Sequence, residues 1–262
     1  MSYFDLRKGV IFIFIQAYLL FFFLCSFLGW VMEVCVKLVQ HGRFINRGFL
    51  IGPYCPIYGV GCVLMAWLLP QYAESIPATF ALAMLVCGVV EYVTSWAMEK
   101  LFHARWWDYS TKHFQLNGRV CLQNLLAFGV MGVAVVKLLA PWMLGLMSKL
   151  PAGLMNGLCI GLSVLFVADV AVSVNVLGRI RSVAANVKGD STEVITRAVH
   201  ERLMQRGLLL RRALHAFPDA RLYNRHLLNQ LQNNRRELVR RAHERNVRFR
   251  QELEQMEKRL RK

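Results

Sequence analysis

The sequence predicts an all-α fold: a polytopic membrane helix bundle of five spans with a cytoplasmic, basic helical tail of hairpin or coiled-coil character. Three observations predict it. Of 262 residues, 56% are hydrophobic and only 18% charged, where a soluble domain carries about a quarter charged. The charges are segregated: residues 1–177 hold 11 Lys+Arg and 7 Asp+Glu, and residues 178–262 hold 21 and 9. Five apolar stretches come near the roughly 20 helical residues that cross a bilayer. One soluble globule and a disordered chain are both excluded.

The spans are expected near 9–38, 48–69, 78–101, 119–140 and 153–177. The first is too long an apolar run for a signal-peptide core and lacks a small-residue cleavage site. Lys/Arg distribution sets the direction. The connection near 39–47 carries Arg43 and Arg47, the one near 102–118 carries Arg105 and Lys112, and the one near 70–77 carries none. Loops one and three and the tail are therefore expected in the cytoplasm, with the N-terminus outside. Trp67 and Trp142 then fall at the outer interface, and Trp30, Trp96, Trp106 and Trp107 near the inner one, where indoles anchor.

Ionic groups in hydrocarbon cost about 2.5–3.5 kcal/mol each on insertion scales, so each needs a reason. Glu33 lies late in span one, Glu91 near the middle of span three, Glu99 two turns further on, and Asp169 in span five. Lys137 can snorkel outward. Asn46-Arg47-Gly48 and Asn117-Gly118-Arg119 open the even spans. Each follows a span with Trp and Glu three apart, Trp30/Glu33 and Trp96/Glu99, neighbours on one face. Spans 1–2 and 3–4 therefore read as a parallel repeat, or as chance likeness between apolar helices.

Gly52-Pro53-Tyr54-Cys55-Pro56 adds a local break. Two prolines three apart do not fit one helix interior. Regular helix from Pro56 to residue 69 would reach roughly 21 Å, short of the roughly 30 Å core. Residues 46–55 are thus expected to be irregular and to dip into the inner leaflet, which is tolerated only against protein or a water-filled cavity. The candidate polar site joins Glu33, Asn46, Arg47, Glu91, Glu99, Asp108, Asn117 and Arg119, with Gly52, Pro53, Cys55 and Pro56 as the broken segment. The competing reading is a structural ion-pair network that sets helix register.

No enzyme is expected. Asp108, with His103 and His113 ten apart, lacks the preset geometry of a metal site, and no cofactor is called for. All seven cysteines lie in or beside apolar runs without metal-type spacing and read as small packing residues.

Phe27-Leu28-Gly29-Trp30 with Glu33, Asn46-Arg47-Gly48-Phe49-Leu50 and Gly52 to Gly59 resemble the bacterial membrane proteins of the putative ABC-transporter type IV family, the CmpB-like permeases. Glu91-Tyr92, Thr94-Ser95-Trp96, Ala104 to Ser110 and Asn117 to Leu122 extend the likeness over about residues 20–150. The resemblance implies a permease-like component in a bacterial inner membrane, but no established substrate. It also implies a separate ATPase subunit, since no Gly-Lys dipeptide, and hence no P-loop, occurs. Five spans are few for one permease, so a homo-oligomer is a further expectation.

Residues 178–191 read as linker and 192–262 as a tail of two helices, the second starting near 219 after Pro218. Leu231, Leu238, Ala242, Phe249, Leu253, Met256 and Leu260 form an approximate seam, with arginines on the other faces. Each Lys/Arg near an anionic leaflet gains about 1 kcal/mol. Anionic lipid or a protein partner is therefore expected for the tail, and nucleic acid is not.

Overall fold

The computed structural model describes residues 3–42, 46, 48–102, 104–185, 221–222, 237, 240 and 244–245. It is mostly helical. In chain order come α1 (Tyr3–His41), α2 (Pro56–Leu68), a 3₁₀ turn (Pro70–Tyr72), α3 (Ile76–Phe102), β1 (Ala104–Arg105), β2 (Gln115–Leu116) and β3 (Val120–Cys121). Then follow α4 (Leu122–Ala134), a π turn (Val135–Leu139), α5 (Ala140–Met147), α6 (Ala152–Ala185) and β4 (Arg221–Leu222). Among the described residues, four helical stretches are long and apolar enough to cross a membrane: Phe12–Val39, Ile76–Phe102, Leu122–Met147 and Ala152–Ser182. With this many apolar spans, the chain is a multi-pass membrane protein. Below, the near end is the end at which α1, α3 and α6 finish and α2 and α4 start.

Helix α2 has 13 residues, or about 20 Å. It starts at Pro56, because proline tolerates the first turn, where its missing N–H would bond nothing. α2 packs on α1 with almost no side-chain spacer. A Cβ on Gly29 would overlap the Tyr58 ring, and one on Gly59 would overlap Ser26 and Phe22. Small residues permit such approach where lipid supplies no hydrophobic drive between helices. Gly132 of α4 meets Ala83 of α3 in the same way. We expect Gly29→Val to lower stability by roughly 1–3 kcal/mol through overpacking, seen as an earlier thermal melt in detergent.

The core runs through the middle of the bundle, where Phe21, Cys25, Cys62, Met65, Ala83 and Val136 are buried together. Leu85, Val89 and Val93 of α3 and Ile160, Val164 and Val167 of α6 face outward, as lipid contact requires. None of the seven cysteines is in a disulfide.

Four sequence expectations are corrected. Span four does not stop near residue 140. It continues through Pro141 to Met147 by opening into a π turn, in which the Ala140 N–H reaches the Val135 carbonyl. The ring of Pro141 clashes with the carbonyl four residues back, and one wide turn relieves this without ending the helix. Residue 178 does not open a linker: α6 runs on to Ala185, and Arg181 donates to the Leu101 carbonyl at 2.8 Å, tying it to the end of α3. Trp106 is not an interfacial anchor. It is 5% exposed and packs edge-on against Phe49 at 6.0 Å. Residues 221–222 are not helical. After Pro218 they run extended, antiparallel to 104–105, with Arg105 opposite Arg221. Residues 237, 240 and 244 are helical, with Arg240 bridging Glu237 and Glu244. The apolar seam of the tail lies outside the described residues.

Candidate functional site

The near end is built in two tiers. The outer tier belongs to the loop after α3. β2 and β3 pair across a tight turn in which Asn117 (φ 53°) and Gly118 (φ 67°) are left-handed, the turn for which Asn-Gly is suited. A Cβ on Gly118 would strike the Asp108 carboxylate, so glycine is needed twice over. The turn delivers Arg119, 8% exposed, onto α3. Its guanidinium meets Glu99 at 2.9 Å, donates to Ser95 Oγ at 3.2 Å and lies over the Tyr92 ring at 5.7 Å. Arg105 reaches the same Glu99 oxygen at 3.2 Å and Asp108 at 3.5 Å. Asp108 also accepts the Ser110 N–H at 3.0 Å. Asn117 donates to the Tyr92 hydroxyl at 3.0 Å, and the Trp107 indole donates to the Arg119 carbonyl at 3.1 Å.

The inner tier lies deeper. Glu91 is 5% exposed and 11 residues before the end of α3, about 16 Å along it. It accepts the Tyr109 hydroxyl at 3.2 Å, and Asn124 of α4 donates to that same hydroxyl at 2.7 Å. Burial first, then the Glu91 charge, pushes the Tyr109 phenol above its ordinary value, so it keeps its proton and acts as donor. From the first helix pair, the Tyr58 hydroxyl donates to Glu33 at 2.7 Å. Glu33 is within coulombic range of Glu91, and Tyr58 of Tyr109. Each acid is thus held by its own phenol, Glu33 by Tyr58 in the α1/α2 pair and Glu91 by Tyr109 beside the α3/α4 pair, on either side of the seam between the pairs.

The broken segment is held from the far side of the fold. The Asp169 carboxylate of α6 accepts the N–H groups of Ile51 at 2.8 Å and Gly52 at 2.6 Å, and the Ser173 hydroxyl at 3.0 Å. The Cys55 N–H goes to the Ser26 carbonyl at 2.9 Å, and Leu50 is 1% exposed. Backbone donors of Ile51, Gly52 and Cys55, which an irregular stretch would leave open in lipid, are thereby satisfied within the protein.

Of the residues singled out from sequence, Glu99, Asp108 and Arg119 are joined through shared arginine contacts, and Asn117 joins them through Tyr92. Glu33 and Glu91 form the deeper cluster. Arg119, together with Arg105, contacts Glu99. Asn46 stands apart, accepting the Trp30 indole N–H at 2.7 Å. Arg47 lies outside the described residues. Sequence reasoning left Tyr58, Tyr109, Asn124 and Arg105 out of the site and gave Asp169 no partner. Tyr58 and Tyr109 do lie inside the two motifs it stressed.

No curated protein and no solved structure matches the chain. A family model does, over residues 20–174, a range that takes in both tiers, the broken segment and Asp169. The chain accordingly belongs to the family described as putative ABC-transporter type IV.

Proposed function

We propose that this protein is the permease-like membrane component of a transport system. It would have five crossings, with α2 and the broken segment together making the second, and a polar site in the cytoplasmic half. The near end would be cytoplasmic and the N-terminus outside, in a bacterial inner membrane. A separate ATPase subunit would dock on the loops at that end, and a second copy could complete the pathway. The observation that carries the reading is the seam. Glu33, Tyr58, Glu91, Tyr109 and Asn124 converge there from both helix pairs, beside an irregular segment fixed by Asp169. Interrupted segments next to polar groups at such depth are how transporters build substrate sites.

A second reading is a membrane-anchored scaffold or regulator that works through its tail, with anionic lipid or protein as partner. The pairing of 221–222 with 104–105 favours it, since it brings the tail against the loop that carries Arg105. Complementation separates the two. In cells lacking the gene, a chain truncated after residue 189 should restore the lost phenotype and Glu91→Gln should not, if the bundle transports. The reverse pattern supports the scaffold. Impermeant maleimide on a cysteine added at the C-terminus should label inside-out vesicles only; a protected C-terminus there overturns the orientation.

A further inference from the structure

One Glu91 oxygen accepts from Tyr109, while the other, Oε2, is buried with no hydrogen-bond partner among the described residues. The groups around this carboxyl come from several elements. Glu33 approaches from α1, Tyr109 from the loop and Asn124 from α4, with Cys87 one turn back on α3 and Tyr58 of α2 in contact with Glu33. None of these is a cation. Arg105 and Arg119 are bound to Glu99, two turns away. On α6, Arg181 is bound to Leu101 and Asp169 holds the broken segment.

An ionised carboxylate out of water needs several donors or an opposite charge. Glu91 has only neutral donors beside it, Tyr109 and Asn124, both away from Oε2, and a second acid, Glu33, close enough for their charges to interact, and two acids so placed resist being ionised together. The neutral acid needs neither donor nor counter-charge. Its carbonyl-like oxygen takes the Tyr109 hydroxyl, and its O–H sits at the unpartnered Oε2, where an unbonded neutral group costs far less than an unbonded charge. We propose that Glu91, paired with Glu33 across the seam and oriented by Tyr109, is a proton-binding site of the bundle. Loading moves one H⁺ from water at the near end onto Oε2 and unloading returns it; only an O–H bond forms or breaks, and no electrons are exchanged. The donor set suits a proton better than a divalent metal, because among the described residues no three His, Cys, Asp or Glu side chains converge on one point. The inference rests on the transport reading only for what the bound proton would drive.

Infrared difference spectroscopy tests it on the full chain in liposomes of phosphatidylcholine and phosphatidylglycerol while pH is stepped. The wild type should show the carbonyl band of a protonated carboxylic acid that disappears as pH rises. Glu91→Gln should lack the band, Tyr109→Phe should shift it, and Glu74→Gln, on the exposed far loop, should keep it unchanged. A wild type with no titrating band, or a band unaltered by both Glu91→Gln and Tyr109→Phe, overturns the proposal. If Glu91→Gln does not fold, the wild-type titration and the Tyr109→Phe shift still decide. A present band combined with truncation-sensitive, Glu91-insensitive complementation sinks the transport reading and leaves the proton site standing.

Discussion

Asp169→Ala is expected to melt about 10 °C below the wild type in detergent. The substitution removes the acceptor for two consecutive backbone N–H groups, at 2.8 and 2.6 Å, and for the Ser173 hydroxyl. Each buried donor left open costs about 1–3 kcal/mol, and these bonds are charge-assisted, hence stronger than neutral ones. A total near 4 kcal/mol corresponds to roughly 10 °C for a domain of this size. Asp169→Asn keeps one acceptor oxygen and loses the charge, so it should fall about midway. Ser173→Ala removes a single neutral donor and should barely register. The damage should also be local before it is global. Cys55, buried at the end of the segment, should react with maleimide in the alanine variant below its melting temperature and stay protected in the wild type. Unchanged melting and a protected Cys55 would show that the segment is held by something other than this carboxylate.

That clamp also shows how far the sequence could be read. The irregular segment and the start of α2 at Pro56 were legible because proline acts locally: the ring and the missing N–H exclude a helix interior whatever surrounds them. The four long apolar helices were legible for a similar reason, since length and composition alone set the ability to span. Asp169 was visible as a costly charge, but its partners lie 117 and 118 residues away, and no periodicity encodes such a pairing. The sequence shows Glu91, Glu99 and Arg119 as members of one polar set but not who meets whom: Glu99 stands nearer the end where the hairpin turn delivers Arg119 and takes it, while Glu91 accepts the Tyr109 hydroxyl. Trp106 was misplaced because indole is suited equally to a lipid interface and to a buried seat against Phe49 and its neighbours. Span four outruns the expected end near residue 140 because the clash at Pro141, which would end most helices, is absorbed by one π turn.

Glu99→Gln should destabilise the protein more than Arg119→Met, although the two remove opposite ends of one ion pair. Glu99 serves two cations, Arg119 at 2.9 Å and Arg105 at 3.2 Å. Losing Arg119 leaves the carboxylate with Arg105. Losing the carboxylate leaves Arg119, 8% exposed, with only Ser95 and the Tyr92 face for its charge. Breaking a buried pair from one side costs about 3–5 kcal/mol, mostly through the charge left behind. Arg119→Met belongs at the lower end and Glu99→Gln at the upper. Arg119→Lys keeps the charge but not the planar fork that touches Glu99 and Ser95 together, and should recover only part of the loss. The double variant, with no buried charge left over from this pair, should be more stable than Glu99→Gln alone and show a coupling of about 2 kcal/mol or more in a double-mutant cycle. Because Arg119 is buried and the Glu99 side chain only 25% exposed, most of that coupling should persist at 1 M salt, where the screening length of about 3 Å would erase a fully exposed bridge. A coupling near zero, or one lost in salt, would mean that Arg119 is solvated and that the outer tier does not close over the acids beneath it.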